Sequence, residues 1–176
     1  MQGHVILSHG LESGPHASKV TALASVAEAL GWRATRPDYR DLDALGMPAC
    51  VAPRIARIRV AVHPGERTVL AGSSMGAFTS ALAAREFDCA GLFLMALPPG
   101  IPDCATPLDA PPVPTALVHG WHDELCPVAA VIDFAGRRGD ELTLVNDTHR
   151  LAAHVDFCAE RFHLFLRGLD AVAAGA

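Results

Sequence analysis

Short runs of apolar residues alternate along this chain with longer segments in which apolar residues recur every three to four positions. The runs are typical of strands buried on both faces of a sheet, and the longer spacing is typical of amphipathic helices. Strands are predicted over 5–7, 33–36, 68–71, 90–96, 115–118 and 141–145, and helices over 19–30, 51–62, 75–85, 128–135 and 155–169. Because strands and helices alternate, right-handed crossovers should build one parallel sheet with helices on both faces, a three-layer α/β/α sandwich.

One segment interrupts this alternation. Prolines are concentrated between Leu97 and Pro114, where a helix would otherwise connect two strands. Proline lacks the N–H group that helices and sheets use, so we predict a stiff loop here. The loop could cover a site at the edge of the sheet, or it could be a surface crossover.

Length and charge restrict the class of protein. A chain of 176 residues is long enough for one domain, predicted to span 1–176, and it can bury a core without a disulfide or a metal. The net charge of −5 argues against a nucleic-acid partner, since phosphate binding favours a basic surface. Arg54, Arg57 and Arg59 lie close together in the sequence, but helical spacing should spread them along a solvated face.

The cysteines and the start of the chain indicate a cytoplasmic protein. The five cysteines are an odd number without a Cys-x-x-Cys pair, which argues against a secreted disulfide framework. The first residues lead directly into an apolar strand, without the basic start and cleavage site of a signal peptide. Apolar runs stay well below the ~20 residues of a membrane span, so no membrane partner is expected. The alanine-rich tail over 171–176 is predicted to be a frayed helix end.

The third predicted strand is followed by Gly72-Ser73-Ser74-Met75-Gly76 and then by a helix. A Gly-x-Ser-x-Gly sequence between a strand and a helix is typical of a nucleophilic serine on a strained turn, where side chains at the glycine positions would collide. Only Ser74 has glycine two positions before and two after it, so it is favoured over Ser73. The N–H of Met75, at the start of the helix, could donate to an oxyanion. A glycine-rich turn with a capping serine is the alternative.

A serine nucleophile needs a base, and the base needs a carboxylate that orients it. Asp123 and His149 follow the fifth and sixth predicted strands. Because the carboxyl ends of parallel strands meet at one edge of the sheet, we expect both side chains to lie near Ser74. His149 lies just past the strand and is favoured over His154, which is five residues later and expected to be already helical. Asp123 could instead be a turn or capping residue.

A second oxyanion donor is predicted in the loop after the first strand. His9 and Gly10 end that strand, and glycine permits the backbone to approach the serine closely. The donor would then be the N–H of Leu11. The substrate pocket is predicted to be lined by His9, Gly10, Glu12 and Leu97.

Together these motifs resemble the α/β-hydrolase superfamily, in particular its compact bacterial members without a lid. The resemblance rests on His9-Gly10-Leu11-Glu12-Ser13-Gly14-Pro15, Gly72-Ser73-Ser74-Met75-Gly76, His119-Gly120-Trp121-His122-Asp123-Glu124 and Asp147-Thr148-His149-Arg150-Leu151. It implies a six-stranded parallel sheet in the order 2-1-3-4-5-6 and a triad of Ser74, Asp123 and His149. Larger members carry two leading strands and a helical cap, both of which this chain lacks.

These observations predict a serine hydrolase that cleaves a small-molecule ester through an acyl-enzyme, with no cofactor. A thioesterase or peptidase with the same triad, and a non-catalytic interaction protein that keeps the fold, are the alternatives. A metal site at His119, His122 and Asp123 is a further alternative. The two histidines are not spaced for one helix face and no third histidine ligand lies nearby in the sequence, so no metal is predicted.

Overall fold

The computed structural model describes residues 2–174. These residues form six strands and six α-helices, joined by loops. The strands are β1 (His4–Ser8), β2 (Arg33–Thr35), β3 (Thr68–Ser73), β4 (Cys89–Met95), β5 (Thr115–Gly120) and β6 (Glu141–Val145). The helices are α1 (Ser18–Ala29), α2 (Arg40–Asp43), α3 (Val51–Ala61), α4 (Met75–Ala83), α5 (Val128–Arg138) and α6 (Val155–Ala174), with short 3-10 helices at Ala84–Glu86 and Ala152–His154. Only α2 was not predicted among the α-helices, because a single turn shows no hydrophobic period.

All six strands are parallel and pair in the order β2-β1-β3-β4-β5-β6, which confirms the predicted sheet. The chain runs outward from β1 to β2 and then returns past β1 to β3. The direction of winding therefore reverses between β1 and β3. Loops that leave these two strands diverge over opposite faces of the sheet, which leaves a crevice at their carboxyl ends. The loops carry Leu11 and Ser74.

Alternate residues of the strands supply a hydrophobic core on each face of the sheet. In β4, Phe93 faces α1 and α6, where its ring centroid lies 5.0 Å from that of Phe162. Leu92 and Leu94 face the opposite side and belong to the core that includes Phe134 of α5. Because both faces are covered, the strands are continuous apolar runs rather than alternating ones.

The proline-rich segment crosses from β4 to β5 over residues 96–114 without a helix or a strand, as predicted. Arg138 of α5 holds it by donating hydrogen bonds to the carbonyl groups of Ala110 at 2.8 Å and Pro111 at 3.0 Å. Ile101 and Ala110 are both buried. The described residues therefore contain a packed crossover loop in this place and no cap domain.

The prediction that the arginines of α3 share a solvated face is wrong for Arg54. Arg59 is exposed, but the Arg54 side chain is completely buried. Its guanidinium donates to the carboxylate of Asp43 in α2, at 2.7 and 2.6 Å. A charge can be buried when it is paired and hydrogen-bonded. The hydrophobic pattern does not reveal α2, so it does not reveal this partner.

Three predictions remain, on the cysteines, on membrane spans and on the C-terminal tail. All five cysteines are free thiols, and four of them are buried. Within residues 2–174, no helix combines the length and the apolar character needed to cross a membrane. The tail predicted to be frayed at 171–176 begins as the end of α6, and positions 175 and 176 lie outside the described residues.

Candidate active site

Ser74 lies on the sharp turn between β3 and α4. Its backbone has φ of 54° and ψ of −121°, a combination that residues other than glycine rarely adopt. β3 ends at Ser73 and α4 begins at Met75, so Ser74 alone forms the turn. The strained residue therefore stands at the carboxyl end of the sheet and at a helix N-terminus, where the helix dipole favours negative charge.

Two glycines permit this turn because neighbouring backbone occupies the space of a side chain. A Cβ added to Gly76 would lie 2.1 Å from the carbonyl oxygen of Ser8. One added to Gly72 would lie 2.4 Å from the carbonyl carbon of Gly76. Contacts this short do not occur, so α4 can pack this closely against β1 and β3 only with glycine at both positions.

We expect Gly76→Ala to destabilise the protein by about 3 kcal/mol, because either α4 or β1 must move to admit the methyl group. Gly136→Ala in α5 is the matched control, since the space around Gly136 is open and alanine favours a helix by roughly 0.5–1 kcal/mol. Urea denaturation of both variants measures the free energy of unfolding. A Gly76→Ala variant as stable as the wild type would contradict the packing of this turn.

The structure brings Ser74, His149 and Asp123 into one hydrogen-bonded line. His149 Nε2 lies 2.9 Å from Ser74 Oγ, and His149 Nδ1 lies 3.0 and 2.9 Å from the two carboxylate oxygens of Asp123. An ionised carboxylate can only accept, so the proton of the neutral imidazole is on Nδ1 and Nε2 accepts from the serine hydroxyl. In this tautomer the histidine can take a proton from the serine.

Asp123 is buried, and several donors favour its ionised form. Burial acts to raise the pKa of the carboxyl, but hydrogen bonds from His149 and from the backbone N–H of Cys126 outweigh it and hold the pKa below its usual range. The N–H groups of Leu125 and Cys126 both donate to Oδ1, at 3.0 and 2.7 Å. Asp123 is therefore a negatively charged partner for His149 at neutral pH.

His119 is a further contact of Asp123, whereas its sequence position suggested only an alternative metal ligand. Its Nε2–H donates to the carbonyl of Cys126 at 2.8 Å, and the same nitrogen lies 3.3 Å from Asp123 Oδ2. Burial lowers the pKa of His119, so the ring is neutral with its proton on Nε2. The sequence signal for this contact is a histidine near the carboxyl end of β5, a strand that is otherwise largely apolar.

The polar residues that neighbour Ser74, Asp123 and His149 in the sequence lie elsewhere or make different contacts. Ser73 is the last residue of β3 and is buried. His154 forms a separate pair with Asp147, with 2.9 Å between Nδ1 and the carboxylate. Glu124 accepts from the backbone N–H of His149 at 3.4 Å and not from its ring.

The alternative metal site does not assemble, because the ring of His122 lies at the surface, 2.9 Å from the side-chain oxygen of Asn146. A different set, Asp123, Cys126 and His149, has its donor atoms within 4.8 Å of one another. Burial raises the pKa of the Cys126 thiol to about 12, whereas metal ions bind the thiolate. The imidazole of His149 and the carboxylate of Asp123 are already hydrogen-bonded to each other. This set therefore does not fit a metal ion either.

The loop after β1 lies against Ser74. A Cβ added to Gly10 would be 3.4 Å from the carbonyl oxygen of Ser73 and 3.5 Å from Ser74 Cβ, which is ordinary van der Waals spacing, so the loop passes beside Ser74 without requiring glycine at this position. Leu11 follows directly. The residues His9, Gly10, Leu11 and Glu12 all line the same cleft as Ser74, whose volume is about 790 Å³.

Leu97 does not line this cleft, and its assignment to the substrate pocket is wrong. It is buried in the core on the side of the sheet that faces α3 and α5. The preceding residue, Ala96, has a positive φ of 46°, and the chain turns at this point. Pro98 and Ile101 form the wall of the cleft where Leu97 was expected.

The cleft has an apolar part and a polar part. Leu11, Ile101 and Met75 pack in one hydrophobic cluster and line the cleft together. Lys19, in the first turn of α1, and Arg150 line another part of it. The Lys19 ammonium donates to the backbone carbonyl of Arg150. This arrangement can receive an apolar group beside Leu11 and a polar group beside Lys19.

Comparison with solved structures finds similar proteins. A protein assigned to the hydrolases of the alpha/beta superfamily, from Xanthomonas campestris pv. campestris, is 47% identical to this chain with a TM-score of 0.89, and the match covers 94% of this chain and 99% of that one. Est1E from Butyrivibrio proteoclasticus is 20% identical with a TM-score of 0.73, covering 96% and 88% of the two chains, and it has also been observed with ferulic acid bound.

An alpha-beta serine hydrolase homologue from Coxiella burnetii is 23% identical, with a TM-score of 0.70 and coverage of 96% of this chain and 86% of that chain. At this level of identity, the Butyrivibrio and Coxiella proteins show a shared fold only. No family model matches the sequence, and no curated protein matches it.

Proposed function

Because this chain belongs to the α/β-hydrolase superfamily, we propose that it is a serine hydrolase that cleaves small carboxylic esters through an acyl-enzyme. The similarity to the Xanthomonas protein supports hydrolysis as the general reaction. The observation that carries the serine mechanism is the line from Ser74 through His149 to Asp123, with 2.9 Å between Ser74 and His149 and 2.9 Å between His149 and Asp123.

In the proposed reaction, Ser74 Oγ attacks the carbonyl carbon of the ester while His149 Nε2 takes the hydroxyl proton. The imidazolium that forms is stabilised by the ionised Asp123. His149 then gives the proton to the departing alcohol, and the acyl group stays on Ser74. A water molecule, deprotonated by His149, attacks the acyl group and releases the carboxylic acid and the free serine.

The negative oxygen of the tetrahedral intermediate would be bound by the backbone N–H groups of Leu11 and Met75. Met75 is the first residue of α4, so its N–H has no acceptor within the helix. Leu11 follows Gly10, and both residues line the same cleft as Ser74. Removing one such donor from a hydrolase typically lowers kcat by about 10²–10³.

Covalent labelling tests the proposal. A fluorophosphonate probe modifies a serine that a neighbouring base activates, so we expect a single label on the peptide that contains Ser74. Ser74→Ala should take up no label, whereas Ser73→Ala should be labelled. A correctly folded wild-type protein that takes up no label would refute the serine mechanism and favour the non-catalytic alternative.

The same residues could cleave a thioester or an amide. Esters are proposed because an alcohol departs more readily than an amine, which must receive its proton before the C–N bond breaks. A panel with one acyl group as ester, thioester and anilide separates these reactions, and we expect the highest kcat/KM for the ester.

Short acyl chains should be the preferred substrates. The apolar cluster that lines the cleft consists of Leu11, Met75 and Ile101. Each methylene buried against it contributes at most about 0.8 kcal/mol, or roughly fourfold in kcat/KM. Proline restricts the backbone of the crossover loop that forms one wall of the cleft. This wall should therefore not close over a longer acyl chain. We therefore expect kcat/KM for p-nitrophenyl esters to peak at short acyl length and then fall. A steady rise out to palmitate, measured below the micelle limit, would show a deep channel instead.

Ile101 and Leu97 provide a matched pair for this measurement. Both are buried apolar residues of the crossover loop, but only Ile101 lines the cleft. We expect Ile101→Ala to shift the optimum toward longer acyl chains, whereas Leu97→Ala should reduce stability and leave the optimum in place. The same shift in both variants would place the acyl group elsewhere.

A further inference from the structure

Arg54 of α3 is a completely buried charge behind the loop that follows β1. Its Nε and Nη2 donate to the two oxygens of Asp43, at 2.7 and 2.6 Å. The side chain of Asp43 is itself only 11% exposed, so the pair is enclosed. Burying such a pair carries a desolvation cost, which excellent geometry and further hydrogen bonds must offset.

The remaining donors of Arg54 are directed at the backbone of the β1 loop. Nη1 donates to the carbonyl of His9 at 2.8 Å, and Nη2 donates to the carbonyl of Gly10 at 3.3 Å. The guanidinium also lies over the ring of Tyr39, 4.5 Å from its centroid. Arg54 therefore fixes the loop with a planar fork of donors that lysine cannot reproduce.

The Gly10 carbonyl belongs to the same peptide unit as the N–H of Leu11. A trans peptide is planar, with its C=O and N–H on opposite edges, so fixing one fixes the other. A second donor acts on the same carbonyl, because His9 Nδ1 lies 2.8 Å from Gly10 O. His9 Nε2 accepts from the N–H of Tyr39 at 3.0 Å, which leaves the ring proton on Nδ1.

We propose that Arg54, oriented by Asp43, is a positioning residue that aims the N–H of Leu11 at the oxyanion formed on Ser74. The inference rests on the proposed function and adds a residue that does not touch the substrate. The hydrogen bond from the guanidinium to the Gly10 carbonyl also polarises this peptide unit in the direction that strengthens its N–H donor. Such preorganised dipoles act chiefly on the transition state.

The test is the steady-state kinetics of Arg54→Lys, with the active molecules counted by fluorophosphonate titration. We expect kcat per titrated site to fall by about 10–100-fold, the effect of a misaimed oxyanion donor, while KM changes by less than about twofold. Affinity for a short alkylboronic acid, whose adduct with serine carries a negative oxygen, should fall by a similar factor. Arg59→Lys is the control, because Arg59 is on the same helix and pairs with Glu86 at the surface.

Asp43→Asn provides a second variant in case Arg54→Lys does not fold, since it keeps the guanidinium and loosens its orientation. We expect a smaller loss of kcat per titrated site in the same direction. If both folded variants keep the wild-type kcat per titrated site and only lose thermal stability, Arg54 has a structural role and the inference is wrong. A folded wild-type protein that reacts with neither the ester nor the probe would overturn the proposed function itself, and this inference with it.

Discussion

Ser74→Ala should lower kcat for ester hydrolysis by on the order of 10⁶, the loss seen when a triad serine is removed. The variant keeps the base, the carboxylate and the oxyanion donors but has no atom that can form the acyl-enzyme. A methyl group also relieves no strain at this position, because the backbone φ of 54° is enforced by the packing of Gly72 and Gly76. Initial rates with p-nitrophenyl acetate, corrected for the rate without enzyme, measure the effect.

Ser73→Ala is the control for this measurement, since the two serines are adjacent and only their orientation separates them. Ser73 is the last residue of β3 and its side chain is buried, whereas Ser74 Oγ contacts His149. The control variant should retain substantial turnover. If Ser73→Ala were inactive and Ser74→Ala active, the nucleophile would be misassigned.

Asp123→Asn should lower kcat by about 10⁴, because it forces His149 into the wrong tautomer. Both backbone N–H groups near this side chain donate to Oδ1, so the oxygen of asparagine must stay at that position. The new NH₂ group then replaces Oδ2, which lies 2.9 Å from His149 Nδ1. The retained Oδ1 also lies 3.0 Å from Nδ1, but it already accepts from the two backbone N–H groups. Because an NH₂ group can only donate, we expect Nδ1 to accept from it, with the ring proton on the nitrogen that faces Ser74.

The rate of fluorophosphonate labelling should fall together with kcat, since both depend on the ability of His149 to accept a proton. Asp133→Asn is the matched control, because Asp133 is an exposed residue of α5 whose contact is with Arg137. Thermal unfolding of both variants checks that they are folded. An Asp123→Asn variant that keeps more than about a tenth of the wild-type kcat would show that this carboxylate does not set the tautomer.

The elements of the fold could be read from the sequence because each depends on local patterns. The apolar run of β4 is buried on both faces, and Gly72 and Gly76 are required by contacts within one strand–turn–helix unit. The Gly-x-Ser-x-Gly spacing favoured Ser74, and placement after a strand favoured Asp123 and His149. The structure brings these three side chains into one hydrogen-bonded line. In a parallel sheet, the sequence position alone identifies the edge at which a loop lies.

What could not be predicted depends on contacts between distant segments. The burial of Arg54 requires Asp43, on a helix of one turn, and the carbonyl groups of His9 and Gly10, which are 45 and 44 residues away in the sequence. Helical spacing alone treats such an arginine as a surface residue. The direction of Leu97 depends on the positive φ of Ala96, which the identity of an alanine does not suggest.

The order of the strands in the sheet determines when the active site can form during folding. Ser74 and His149 are 75 residues apart, and they meet only after β3, β4, β5 and β6 have paired side by side. Every pairing in this sheet joins parallel strands across a crossover, and such non-local contacts form slowly. The recovery of esterase activity after dilution from denaturant should therefore lag behind the recovery of helical circular dichroism, and activity would report the completion of the sheet rather than its beginning.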